Sequence, residues 1–567
     1  LGGTGDDQID GDEGLDVNAP SFPRATSPQW LLAGQADFNG DGWLDLVYHN
    51  RTSGNGQVMI WLMQGTTVQS EVMLSRRLAF PWKLAGVGDF NGDGHADLMW
   101  QETRSRQFSI WFLNGGRYRS SATVIAPTNR DWQIVGVGDF NGDKKADLLW
   151  RDMRRGHNTV WLMSGARSQG SIALRGFSDM RYQIQAVADV NGDGIADILL
   201  GAPGADGPSA SRDGAGESYI VFGRDIFPNV LDLAVQGDGG ADVTIHGASE
   251  GDSLTSGGAL TAGDVNGDGI TDLLLGALAA DGPDESRPSA GEAYVIFGRE
   301  EFPFTLDLGI QGPGGADVTL YGADEGDFLA YDGALKAADV NADGLPDIIL
   351  GAVGADGPDE TREAAGECYI VFGRPGLPPV LDLKISGPGN ADVTLYGVSP
   401  DDQMTSGGSI VVADVNGDGI DDLLLGTPGG DGPNDTRSGA GESYIVLGRP
   451  FFPPVMDLAF QGHGGADVTL HGASAEDSLT SGGALAAADV NKDGIADILL
   501  GAGLADGPEE SRLSAGEACI VLGRPVFPVT LDLAIQGPGG ADVTLYGASP
   551  GDNLAIGGAL LLLAVLA

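Results

Sequence analysis

The stretch ADFNGDGWLDLVYHN, Ala36–Asn50, places Asp37, Asn39, Asp41, Trp43 and Asp45 at alternate positions of one short segment. Four of these five side chains carry oxygen. The pattern returns as Asp89, Asn91, Asp93, His95, Asp97 and as Asp139, Asn141, Asp143, Asp147. It continues as Asp189, Asn191, Asp193, Ile195, Asp197 and as Asp264, Asn266, Asp268, Ile270, Asp272. Three further copies are Asp339, Asn341, Asp343, Leu345, Asp347; Asp414, Asn416, Asp418, Ile420, Asp422; and Asp489, Asn491, Asp493, Ile495, Asp497. The first Asp recurs after 52, 50 and 50 residues and then after 75 four times. A fixed period of this length marks a repeat architecture.

Asp, Asn and Gly favour turns in any β protein. Eight copies in one register point further, to a bound cation. Alternate side chains of a tight loop converge, and their hard oxygens suit calcium. Gly at the sixth position permits the sharp turn, and the seventh residue offers its backbone carbonyl. An EF-hand closes its loop with a bidentate Glu at position twelve. Here that position holds Tyr48, Trp100, Trp150 or Leu200, so the ninth-position Asp must close the site. The apolar twelfth position also argues against a dockerin. The third copy is the poorest, because Lys144 replaces the Gly and Lys145 follows it.

The flanks LLAGQADF and LDLVYH are short, apolar and β-rich, so each loop joins two strands. In the third unit WQIVGVGDF, ADLLWRD, HNTVWLMSG and GSIALRG read as four strands, the count of a propeller blade. In the fifth, GGALTAGDV, TDLLLGA, GEAYVIFGR and ADVTLYGA do the same. The reading is an all-β chain forming one β-propeller of about eight four-stranded blades, with seven as the alternative count. Three short units span 29–178 and five long ones 179–567, the last with an incomplete closing strand. The added length of the long units, ADGPDESRPSAGE and the segment around FTLDLGIQGPGG, reads as surface loops or small hairpins. Residues 20–28 form a Pro-rich linker. GGTGDDQID, Gly2–Asp10, fits the calcium-binding nonapeptide of parallel β-rolls, so 1–19 reads as the remnant of an RTX-type array continuing upstream. The chain does not start with Met and reads as a fragment or processed form.

The units resemble FG-GAP repeats, the blades of the integrin α-subunit propeller. VIFGR from Val295 carries the FG and LLGAP from Leu199 the GAP. The shorter Trp-rich units resemble the related VCBS repeats of bacterial secreted proteins. The resemblance covers about residues 29–560. It implies a calcium-binding extracellular propeller acting in adhesion or in binding a glycan or protein ligand, with up to about eight calcium ions. It also implies a secreted or cell-surface location of bacterial type. Two rivals are the propeller part of a secreted polysaccharide-active or lipid-active enzyme, and a passive scaffold within a larger RTX adhesin.

Composition bounds the partners. The net charge of −49 repels nucleic acid and anionic membranes, and eight divalent ions would leave it near about −33. The apolar tail GGALLLLAVLA is too short to cross a bilayer as a helix, so no membrane insertion is expected. A monomeric propeller within a longer chain is expected. Cys368 and Cys519 occupy adjacent rather than equivalent repeat positions, which disfavours a disulfide. No nucleophile elbow, zinc-protease motif or P-loop occurs, so no catalysis is expected.

Eight of the nine Trp are periodic and read as packing between blades. Trp43 lies outside the series, on a loop, and is the candidate for sugar stacking. Arg212, Arg287, Arg362, Arg437 and Arg512 recur every 75 residues, with Glu217, Glu292, Glu367, Glu442 and Glu517 five residues on. The spacing predicts an Arg–Glu pair holding the long loop. His246 and His471 stand where other long units have Tyr, and read as structural aromatics.

Overall fold

The computed structural model describes residues 30–554 apart from 42–44, 51–55, 65–66, 79–81, 103, 128, 130, 176–182, 386, 388–389, 492, 494, 509–510 and 548. The nonapeptide segment, the linker, Trp43 and the apolar tail lie outside the described residues.

Eight consecutive four-stranded antiparallel sheets follow one another, as expected for blades. Blade 1 begins with Trp30–Ala36, blade 2 with Trp82–Gly88 and blade 3 with Trp132–Gly138. Blades 4 to 8 begin with Gln183–Ala188, Leu260–Gly263, Leu335–Ala338, Ile410–Ala413 and Leu485–Ala488. The first strand of each of blades 1 to 7 packs on the next blade's first strand. Alternation of small and apolar residues allows that close approach at the centre of the array. In blade 3 the remaining strands are Asp147–Asp152, Asn158–Ser164 and Arg167–Arg175. In blade 5 they are Asp272–Ala277, Glu292–Ile296 and Val318–Tyr321.

Of the extra length of the long units, the ADGPDESRPSAGE segment is a loop with a short 3-10 turn at Pro283–Glu285, whereas the other segment supplies a strand. Val230–Asp232, from the fourth unit, pairs in parallel with Arg167–Arg175 of blade 3. Thr305–Asp307, Val380–Asp382, Val455–Asp457 and Thr530–Asp532 likewise add a fifth, parallel strand to the blade before their own. Sequence patterning missed this because a three-residue strand carries no periodicity. The pairing covers outer-edge backbone groups that would otherwise be open to other chains.

Apolar side chains from facing sheets fill the space between blades. Trp100 and Trp111 are fully buried between blades 1 and 2, and Trp150 between blades 2 and 3. Trp100 and Trp111 stack at a 5.3 Å centroid separation, as do Trp150 and Trp161. The described periodic Trp residues are packing groups, as their spacing suggested.

The two residues that name the motif have steric reasons. A Cβ at Gly298 of VIFGR would lie 2.5 Å from the Thr271 carbonyl oxygen. A Cβ at Gly201 of LLGAP would lie 2.5 Å from Thr255 Oγ1, on the turn that opens the next blade. Only hydrogen fits at either place.

Candidate metal centre

Each acidic loop joins the first and second strands of a blade, so all eight project at the same end of the array. The fifth loop shows the construction. Asp264 Oδ1 accepts the Gly267 N–H at 2.8 Å and the Asp268 N–H at 3.1 Å, while Oδ2 accepts the Gly269 N–H at 2.8 Å. Asn266 Oδ1 accepts the Asp268 N–H at 2.8 Å, and Asp268 Oδ1 accepts the Ile270 N–H at 2.9 Å. These short-range bonds hold the loop wound.

The ninth-position residues Asp45, Asp97, Asp147, Asp197, Asp272, Asp347, Asp422 and Asp497 are wholly buried. One carboxylate oxygen accepts the N–H of the loop's second residue, as from Phe38 to Asp45 at 2.9 Å and from Val265 to Asp272 at 3.0 Å. In blades 2 to 8 the other accepts an N–H from the end of the third strand. The donors are Leu113, Met163, Gly223, Gly298, Gly373, Gly448 and Gly523. This carboxylate therefore ties three strands together. Sequence reading gave it one role and missed the second, because its donors lie far along the chain. Burial, together with neighbouring loop carboxylates, lifts Asp97 to about 8 and Asp147, Asp197, Asp272, Asp347, Asp422 and Asp497 to about 7.

Successive loops abut. Gly40 lies against His95, Gly92 against Lys145, Gly142 against Ile195, Gly192 against Ile270, Gly267 against Leu345 and Gly417 against Ile495. The seventh-position side chain thus packs on the preceding loop, a contact no local pattern reveals. The second-residue carbonyl is also stitched to the next blade. The Val190, Val265, Val340 and Val415 oxygens accept the N–H groups of Arg299, Arg374, Arg449 and Arg524 at 3.1, 2.8, 3.0 and 3.0 Å. Each loop sits at a joint between blades.

By residue type each loop offers three carboxylates and an amide oxygen, the donors a hard divalent cation takes, with further lone pairs on oxygens already accepting one N–H. Among the described residues, no three carboxylate, His or Cys side chains are gathered tightly enough to form a metal cluster. In the third loop, Lys145 Nζ lies 2.9 Å from Asp143 Oδ2 and Lys144 adopts φ +62°. An ammonium there already neutralises one carboxylate.

The expected Arg–Glu pair does not form. Arg212 forks onto Asp307, 95 residues away, at 2.7 and 3.0 Å. Arg287, Arg362 and Arg437 fork in the same way onto Asp382, Asp457 and Asp532. Each Asp ends the fifth strand donated by the following unit, so the ion pair clasps two units together. The Glu turns instead to a Tyr hydroxyl two residues on, as between Tyr294 and Glu292 or Tyr444 and Glu442. His246 and His471 pair with Glu217 and Glu442 at 2.9 and 2.7 Å, so these rings are polar partners as well as packing groups. Cys368 and Cys519 are free and buried, and burial pushes the Cys519 thiol up to about 12.

The chain matches the FG-GAP-like repeat over 37–100 and 89–150, and the FG-GAP repeat over 182–221, 256–296, 406–446 and 481–517. It therefore carries FG-GAP repeats in both its short-unit and long-unit parts. It is similar to phosphatidylinositol-glycan-specific phospholipase D of Bos taurus, 33% identical over 30% of this chain and 18% of that protein. The protein of the same name from Homo sapiens is 31% identical, again over 30% of this chain and 18% of its own length. The chain thus spans under a fifth of the length of these relatives. Solved structures with some likeness include the Dos1 propeller, at TM-score 0.30 and 9% identity over 60% of this chain and 66% of that one. Another is the dihydro-heme d1 dehydrogenase NirN in complex with DHE, at TM-score 0.33 and 11% identity over 87% and 73%. The fold assignment rests on the chain's own sheet order and its repeats. No helix among the described residues is long and apolar enough to cross a membrane.

Proposed function

We propose that the chain is a calcium-stabilised extracellular propeller that binds a glycan or protein ligand and performs no catalysis itself. The observation that carries this reading is the row of acidic loops at the blade joints, each with more carboxylates than local cations. Calcium would neutralise that repulsion and add a tie at each joint. The first, third, fifth and ninth side chains and the seventh carbonyl of each loop would hold it. The third loop would be the weakest, since Lys145 already occupies Asp143. Secretion agrees with the acidic surface and with the nonapeptide in residues 1–19.

A second reading makes the chain the propeller portion of a larger lipid-active enzyme. The similarity to phosphatidylinositol-glycan-specific phospholipase D favours it. Binding to glycan and matrix-protein arrays, in millimolar calcium and again in chelator, separates the two. Calcium-dependent binding to a defined sugar or protein supports the ligand-binding reading. A blank array from folded, calcium-loaded protein overturns it.

A further inference from the structure

Blades 3 to 7 each take a fifth, parallel strand from the following unit, whereas blade 8 has four strands and ends on Val543–Tyr546. Blade 7 shows how such an edge is used. The Thr469 N–H donates to the Val529 carbonyl and the Leu533 N–H to the His471 carbonyl, both at 3.0 Å. Leu531 of the donated strand is wholly buried. In blade 8, nothing among the described residues pairs with the outer edge of Val543–Tyr546. Val543 is 41% exposed, whereas its equivalents Val243, Val318, Val393 and Val468 are buried.

The arginine that clasps a donated strand is already in place at this edge. Arg212, Arg287, Arg362 and Arg437 each send Nη1 to a glycine carbonyl of their own unit, at 2.8, 2.9, 2.6 and 2.9 Å. Each also forks onto the Asp of the incoming strand. Arg512 makes the first contact, to the Gly547 carbonyl at 2.9 Å, and has no carboxylate partner among the described residues. Blades 1 and 2 are also four-stranded, but their shorter units lack the segment that carries this arginine. Among the described blades, only blade 8 combines an open edge with an unmatched arginine.

We propose that the outer edge of blade 8 binds an extended segment of a partner protein as a parallel fifth strand of the pattern Val/Thr-Leu-Asp-Leu. In blade 7, Leu531 and Asp532 lie opposite Leu470 and His471. The partner's Leu and Asp would lie opposite Leu545 and Tyr546 in the same way, with the Asp on Arg512. Main-chain bonds would supply affinity, and the Asp and the flanking apolar side chains specificity. The strand comes from a partner because this chain's own five strands of that pattern are engaged. Their Leu231, Leu306, Leu381, Met456 and Leu531 are wholly buried, so a second copy would have to unpair one to lend it. The proposal rests on the protein-ligand reading above and names a surface for it. A positive protein array without strand binding would overturn this surface alone.

Fluorescence anisotropy tests it, with a labelled peptide copying residues 527–536, FPVTLDLAIQ, and the whole chain in millimolar calcium. Saturable binding at one site is expected. Asp532→Asn in the peptide should weaken binding by at least about tenfold. N-methylation of the peptide's Leu533 should abolish binding, because it removes the N–H that bonds His471 in blade 7. Arg512→Ala should bind the Asp and Asn peptides equally, a result that loss of fold would not give. No binding, binding indifferent to both peptide changes, or an Asp preference kept by Arg512→Ala would overturn the proposal. So would a dimer that the peptide splits into monomers, since a second copy would then hold the edge.

Discussion

Asp272 accepts N–H groups from its own loop, from the Asn266 amide and from Gly298 on the third strand. Asp268, four residues earlier, accepts only within the loop. The two carboxylates therefore differ in structural support, and under the calcium reading both would also be ligands. Asp272→Ala should cost about 3 kcal/mol or more in chelator, because several buried donors lose their acceptor. Asp268→Ala should cost under about 1 kcal/mol in chelator and substantially more in calcium, where it removes a ligand. Urea melts of both variants in the two buffers check this, and equal losses in chelator would refute the division of roles. A second titrating group lies away from the loops. Burial, with the charges of Glu367, Asp324 and Glu360, lifts Asp327 from 3.8 to about 8. Between those values the folded state holds a proton the unfolded chain has lost, so stability falls as pH rises from about 4 to about 8. Asp327→Asn should match the wild type near pH 4 and exceed it at pH 8 by about 1–3 kcal/mol, as read from denaturant midpoints.

At the scale of elements, the long units interlock through a short strand and an ion pair. The donated strand adds ladder bonds to the preceding blade, and the Arg fork locks the end of that strand. Arg–carboxylate forks are stronger than single-point pairs, but these are partly exposed and so discounted. Arg287→Ala should cost about 1–2 kcal/mol and expose Val380–Asp382 to faster amide exchange. Arg512, whose described contact is the Gly547 carbonyl at 2.9 Å, should cost less when replaced. Hydrogen exchange with melts of both variants distinguishes them. The Arg was visible in the sequence from its period, whereas its partner was not. A Glu five residues away is the nearer choice along the chain, but Asp382 arrives only when the following unit folds back. The same fold-back made a fifth strand of one of the two added segments, which had read as a surface loop or small hairpin.

At the scale of the whole molecule, the joints between blades carry both the apolar core and the acidic loops. Under the calcium reading, chelation removes a tie at every joint together. Each occupied site contributes about 2.7 kcal/mol when calcium is at 100 times its dissociation constant. Excess EGTA should therefore lower the melting temperature sharply and broaden the transition. An unchanged melt would defeat the calcium reading while leaving the fold intact. The net charge of −49 works in the same direction, since self-repulsion across a large acidic face grows when ions leave.

Period, strand pattern and loop chemistry are local properties, and the sequence by itself determined them: repeated four-stranded units, an acidic turn in each, Trp positions that pack, and no catalytic motif. Tertiary structure decided what depends on distant chain segments meeting. It buried the ninth-position Asp against N–H groups of another strand, laid each seventh-position side chain on the preceding loop, and paired each Arg with an Asp 95 residues away. The physical reason is that hydrogen bonds and ion pairs act only over a few ångströms. Residues within one turn reach that range automatically, whereas residues in adjacent blades reach it only after the sheets have packed.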